Sequence, residues 1–144
     1  MSDPYSLERF VKAQDRVYEQ VRQELKAGDK RSHWMWFVFP QIEGLGHSAT
    51  AKEFAISGVG EAAAYLSHPI LGPRLIECTR LLSSTTGRTA AEIFGYPDDL
   101  KLRSSMTLFA HAAPENRLFR DILDQYFDGD GDPLTMEKLH NASS

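Results

Sequence analysis

The chain has 144 residues, 42% hydrophobic and 25% charged, enough for one domain with its own core and too apolar for intrinsic disorder. A net charge of −4 argues against nucleic acid as a general partner, because such binding needs a basic face that displaces counterions. The longest apolar run, residues 34–39, falls far short of the roughly 20 residues of a membrane span. No secretory leader is visible, and the single Cys78 has no partner for an internal disulfide, so a soluble protein of a reducing cytoplasm is expected.

Residues 7–27 place Leu7, Phe10, Val11, Val17, Tyr18, Val21 and Leu25 at the three-to-four spacing of one apolar stripe, which predicts one long helix closed by Gly28. Residues 32–39 hold both tryptophans and fit either a buried helix or a buried strand. Ser32 as N-cap, Pro40 as a stop and the lack of an alternating partner strand favour the helix. Gly44 and Gly46 require a loop over residues 41–47, and Ser48 caps a helix reaching Phe54 or Ile56. Gly58 and Gly60 separate that helix from a short one at residues 61–67.

Leu71, Leu75, Ile76, Cys78, Leu81 and Leu82 predict a helix from about Pro69 to Ser84, with Gly72 and Pro73 delaying or kinking its start. Thr89 and Glu92 have the spacing of a capping box for a short helix ending at Phe94. Asp98 or Asp99 caps the next, running to about Ala112 with Leu102, Met106, Phe109 and Ala110 on its core face. Residues 116–127, with Leu118, Phe119, Ile122, Leu123 and Tyr126 inward, and residues 133–140 complete the series. Residues 141–144 are expected to fray. The fold class is therefore all-α, a single domain over residues 1–144 made of about eight short helices.

The chemistry-bearing residues gather in two stretches. Indole faces stack on flat or cationic ligands and imidazole exchanges protons near neutral pH, so His33, Trp34 and Trp36 can wall a pocket. They also fit a plain core with one hydrogen-bonded histidine. The polar groups at both ends of the run, Lys30, Arg31, Gln41 and Glu43, favour the pocket. Lys101, Ser104 and Ser105, spaced i, i+3 and i+4, share a face near a helix N-terminus, where with Arg103 they can hold a phosphate or carboxylate. The bland reading of that face is solvated surface. His33, Glu43, Lys101 and Ser105 are the candidate catalytic groups, Ser105 as a nucleophile activated by Lys101.

No HExxH or paired Cys/His spacing points to a metal. The run from Asp128 to Asp132 begins like a calcium loop, but Pro133 occupies the glycine position and Leu139 stands where the bidentate Glu belongs, so it reads as an acidic turn. Neither metal nor cofactor is expected.

Asp3-Pro4-Tyr5, the run Lys30-Arg31-Ser32-His33-Trp34-Met35-Trp36-Phe37, then Phe39-Pro40-Gln41, Leu71-Gly72-Pro73-Arg74-Leu75, and the run from Asp98 to Phe109 resemble the bacterial domain-of-unknown-function family 1810. Members of that family often carry the label calpastatin. The resemblance spans nearly the whole chain and implies a helical single-domain fold with no established activity; His47 stands where the family is expected to carry Arg. Calpastatin proper is a disordered inhibitor, whereas this composition is that of a folded domain.

Two functions follow as expectations. One is a pocket for a small anionic ligand, nucleotide- or ADP-ribose-like, enzymatic or not, in which Glu43 serves as acid or base by analogy with small helical proteins that cleave N-glycosidic bonds of ADP-ribose derivatives. The other is a protein-interaction module with the tryptophan stretch as its hot spot. Burial separates them: the pocket requires the tryptophans to line a concave site beside Lys101 and Arg103.

Overall fold

The computed structural model describes residues 3–143, and ten helices follow one another among them. They are α1 (Glu8–Asp15), α2 (Tyr18–Ala27), α3 (Met35–Val38), α4 (Ala49–Glu53), α5 (Val59–Ser67), α6 (Leu71–Ser84), α7 (Ala90–Phe94), α8 (Asp98–Ala112), α9 (Leu118–Phe127) and α10 (Pro133–Ser143). Among the described residues no strand forms; extended pairing is limited to one parallel bridge between Ile42 and Ile56. Residues 34–39 therefore resolve as helix, shortened to the single turn of α3. Met1, Ser2 and Ser144 lie outside the described residues, and with Ser144 part of the expected frayed end; Asn141 belongs to α10.

The expected first helix is two. At Val17 the backbone leaves helical geometry (φ −133°, ψ 0°), because the two halves answer to different partners: α1 packs on α3 and α2 on α6. Gln14 anchors the first half from its buried face, its amide donating to the Phe37 carbonyl at 2.7 Å and the Tyr65 hydroxyl at 2.8 Å. One straight helix cannot lay a single stripe on both surfaces.

Local signals elsewhere act as their chemistry dictates. Ser48 accepts from the Ala51 N–H at 3.1 Å, and Thr89 with Glu92 closes a reciprocal capping box. Ser32, by contrast, caps nothing, since Trp34 holds the N-cap position of α3 without a side-chain bond. Neither aspartate caps α8, where Pro97 precedes the first turn. Gly72 and Pro73 fall inside the first turn of α6 and do not delay it. A Cβ on Gly72 would stand 2.1 Å from the Leu66 carbonyl oxygen, so this glycine is what lets the end of α5 and the start of α6 touch backbone to backbone.

Helix α8 runs through the middle of the molecule, contacting α3, α5, α7, α9 and α10. Beyond its first turn every residue from 102 to 110 except Arg103 is buried, far more than the four-residue face the apolar pattern suggests. Two of the three hydroxyls this encloses turn back on the helix: Ser104 donates to the Leu100 carbonyl and Thr107 to that of Arg103. Aromatic rings link the helices through the core, from Phe10 to Tyr65 to Phe109 to Phe119 at centroid separations of 5.2, 5.5 and 5.8 Å. No helix among the described residues is long and apolar enough to cross a membrane.

Candidate functional site

The site begins with the end of α2. Gly28 takes the left-handed conformation that closes the helix (φ +66°), and the chain doubles back so that residues 31–34 return to Glu24, one turn earlier. Five donors converge on that carboxylate. The N–H groups of Arg31 and Ser32 and the Trp34 indole reach Oε1 at 2.8, 3.1 and 2.9 Å, and the Ser32 hydroxyl and Gln20 amide reach Oε2 at 2.6 and 3.0 Å. Burial alone would raise the Glu24 pKa; the hydrogen bonds outweigh it and hold the group down at about 2. Glu24 is thus an anion that pins the segment leading into α3.

That segment positions Lys30, whose N–H donates to the Ile93 carbonyl at 2.7 Å. Its side chain is 6% exposed. The ammonium donates to the Ser32 carbonyl and to Asp98 Oδ2, each at 2.7 Å, and stands 5.0 Å from the Trp34 ring centroid. Asp98, at the start of α8, also accepts from Lys101 through Oδ1 at 3.1 Å, and the Lys101 ammonium lies 4.4 Å from the Trp36 ring centroid. Burial would raise the Asp98 pKa, but the two lysines more than offset it and lower it. Two ammonium groups share one carboxylate, which leaves a surplus positive charge in the lining of a cleft of about 360 Å³. His33, Ser48 and Thr50 complete the walls, and His33 is exposed.

The sequence-predicted residues divide accordingly. Lys30, His33, Trp36 and Lys101 meet at this cleft, and Trp34 lies beneath it, 1% exposed with its indole N–H committed to Glu24. Trp34 is a structural floor and has no free face for stacking. Arg31 points to solvent and pairs with Asp29 at 2.8 Å. Arg103 is likewise elsewhere, donating to the carbonyls of Asp130 and Gly131 at 2.9 and 3.0 Å and so closing the acidic turn. In that turn Asp132 caps the start of α10 through the Thr135 N–H and hydroxyl. Ser104 is buried, and Ser105, 0% exposed with its hydroxyl unpartnered, has no route to a substrate. The i, i+3, i+4 spacing does put both serines on the face of Lys101, but past its first turn α8 is enclosed by neighbours. Gln41 and Glu43 fall on the far side of Trp36, in a separate depression of about 130 Å³.

Sequence reasoning missed Glu24 and the pairing role of Asp98. The i, i+3 spacing of Asp98 and Lys101 was a usable signal for the second; Glu24 carries none, because its partners gather only when the chain reverses at Gly28. Cys78 is buried beside Tyr18, and burial pushes its thiol up to about 12, so it is a core residue and a poor nucleophile.

The chain is similar to the conserved hypothetical protein Rv1873 from Mycobacterium tuberculosis, whose crystal structure matches at 55% sequence identity and a TM-score of 0.95, covering 96% of this chain and 99% of that one. No curated protein matches it. The model of the family described as "Protein of unknown function (DUF1810)" matches residues 4–139. The chain therefore belongs to the DUF1810 family.

Proposed function

We propose that the cleft between residues 30–37 and the first turn of α8 binds a small anionic molecule, a phosphate or carboxylate taken by Lys30 and Lys101 and a flat portion packed along Trp36 beside the Lys101 ammonium. Nucleotides and ADP-ribose-like compounds combine both features. The observation that carries this reading is the sharing of one carboxylate by two lysines that line the same cleft. Their ammonium groups are already ordered by Asp98 and the tryptophan rings, so little further side-chain entropy is lost when an anion arrives. The volume lies within the roughly 300–1,000 Å³ typical of small-molecule sites.

The reading is one of binding. Glu43 is on the wrong side of Trp36 for acid–base work at this cleft, and burial removes Ser105 as a nucleophile. Burial of Trp34 likewise leaves an interaction module only one of the two tryptophans as an anchor, which favours the small ligand. A cytoplasmic location belongs to the same proposal.

A thermal-shift screen of nucleotides and sugar phosphates tests it on the wild type and Lys101→Ala. A true ligand at 100 times its Kd stabilises the fold by about 2.7 kcal/mol, an upward shift of several degrees, and Lys101→Ala loses that shift. Absence of ligand-dependent stabilisation across a broad library refutes the proposal.

A further inference from the structure

Trp36 belongs to the lining of two concavities at once. On one side is the cleft with the lysines; on the other, between the residue 41–46 loop and α4, is the depression of about 130 Å³ that contains Gln41. The backbone there is fixed, since the Gln41 carbonyl accepts from the Ile56 N–H and the Glu43 N–H donates to the Ile56 carbonyl, each at 2.8 Å. The Gln41 side chain is different. Its residue is 4% exposed, yet its amide Nε2 has no hydrogen-bond partner.

A buried donor left unpaired costs about 1–3 kcal/mol, and native folds keep few such groups. The terminal amide torsion is broad and roughly two-fold, so the amide can turn either its donor or its acceptor to the depression at little cost. Gly46 keeps the partition between the two concavities in place. A Cβ there would stand 2.8 Å from Trp36 Cη2 and 2.7 Å from the Ala51 Cβ, closer than real contacts allow, so any side chain would displace the indole.

We infer that the ligand whose anion is held by Lys30 and Lys101 continues past Trp36 and presents a hydrogen-bonding edge to the Gln41 amide, which makes it a nucleoside monophosphate whose base sets a donor beside an acceptor. The inference rests on the anion-binding proposal and extends it. The second depression, about 130 Å³ against about 360 Å³ for the cleft, is the smaller of the two and takes the edge of the base. The rest of the base packs along Trp36 beside the Lys101 ammonium, which stands 4.4 Å from the ring centroid. A glutamine amide offers one donor and one acceptor side by side, the complement of the adjacent acceptor and donor on the adenine edge. Gln41 is on this account a specificity-determining residue, and the unpaired donor in the free protein is the group that the base satisfies.

Isothermal titration calorimetry with adenosine monophosphate and with ribose 5-phosphate, on the wild type, Gln41→Leu and Gln41→Met, tests this alongside a thermal melt of each protein. The wild type binds the nucleotide at least about tenfold more tightly than the sugar phosphate, the worth of one well-made hydrogen bond. Both variants lose that factor for the nucleotide, bind ribose 5-phosphate unchanged, and melt at or above the wild-type temperature because the unpaired donor is gone. Equal affinity of the wild type for the two compounds, or nucleotide affinity unchanged in the variants, overturns the inference and leaves the anion site standing. Melting temperatures well below wild type in both variants overturn it too, by marking Gln41 as a structural residue. If neither compound binds the wild type, this inference and the proposal beneath it fall together.

Discussion

Replacing Glu24 by Gln preserves the side-chain shape and one oxygen, which can still accept from Arg31 N–H, Ser32 N–H and the Trp34 indole. The other oxygen becomes an NH2 group that faces the Ser32 hydroxyl and the Gln20 amide, and the Gln20 donor loses its acceptor. Hydrogen bonds to a charged group are worth about 1.5–3 kcal/mol and neutral ones about 0.5–1.5, so neutralising this hub and breaking part of it costs about 3 kcal/mol at pH 7. The depressed pKa gives a second figure for the same interactions. A carboxylate held at about 2 against an ordinary 4.5 contributes about 3 kcal/mol in full and about 2 kcal/mol once solvent screening near the surface is allowed for.

The folded pKa is depressed, so this stability is present above the unfolded value of about 4.5 and is lost as pH falls toward 2. Urea unfolding followed by tryptophan fluorescence, at a series of pH values from 7 down to about 2.5, measures the difference between the two proteins. Glu24→Gln is less stable by about 2–3 kcal/mol at neutral pH, and the gap narrows steadily once the pH drops below about 4.5. A gap within about 0.5 kcal/mol at pH 7, the ordinary range of a surface substitution, or one that does not change with pH, would refute the assignment of Glu24 as the charged anchor of the segment carrying Lys30 and His33.

Two further substitutions probe α8 and its surroundings. Ser105→Ala removes a buried, unpartnered hydroxyl and introduces the best helix former, so stability by chemical denaturation rises by up to about 1 kcal/mol while nucleotide and phosphate binding stay unchanged; lost stability or altered binding contradicts the burial argument. Gly72→Ala forces a Cβ to within 2.1 Å of the Leu66 carbonyl oxygen, and the required separation of α5 from α6 lowers stability by about 2–3 kcal/mol, with a near-neutral melt as the refuting outcome.

Features that depend on neighbours in the chain were legible without the fold. The Thr89 and Glu92 capping box and the Ser48 cap follow from side chains acting on backbone groups within one turn, and the closing role of Gly28 from its ease in the left-handed conformation. The all-α class followed from the three-to-four spacing of apolar residues, and the meeting of Lys30, His33 and Trp36 with Lys101 was expected from their chemistry. What the tertiary structure decided is which face of each helix a distant segment covers. Ser104 and Ser105 share a face with Lys101, yet only the first turn of α8 reaches the cleft, because later turns are enclosed by helices distant in sequence. Lys30 and Asp98 are separated by 68 positions, and the i, i+3 spacing of Asp98 and Lys101 announces only one half of the bridge between the two lysines. The break at Val17 has the same origin, since α1 and α2 meet different partners. Gln41 and Lys101 line different concavities that share Trp36, and Gln41 is tied to the distant Ile56 through the bridge beside it. Local bonds are set by residues a turn apart; enclosure, charge sharing and the side of a ring on which a residue falls are set by segments that meet only when the chain has folded.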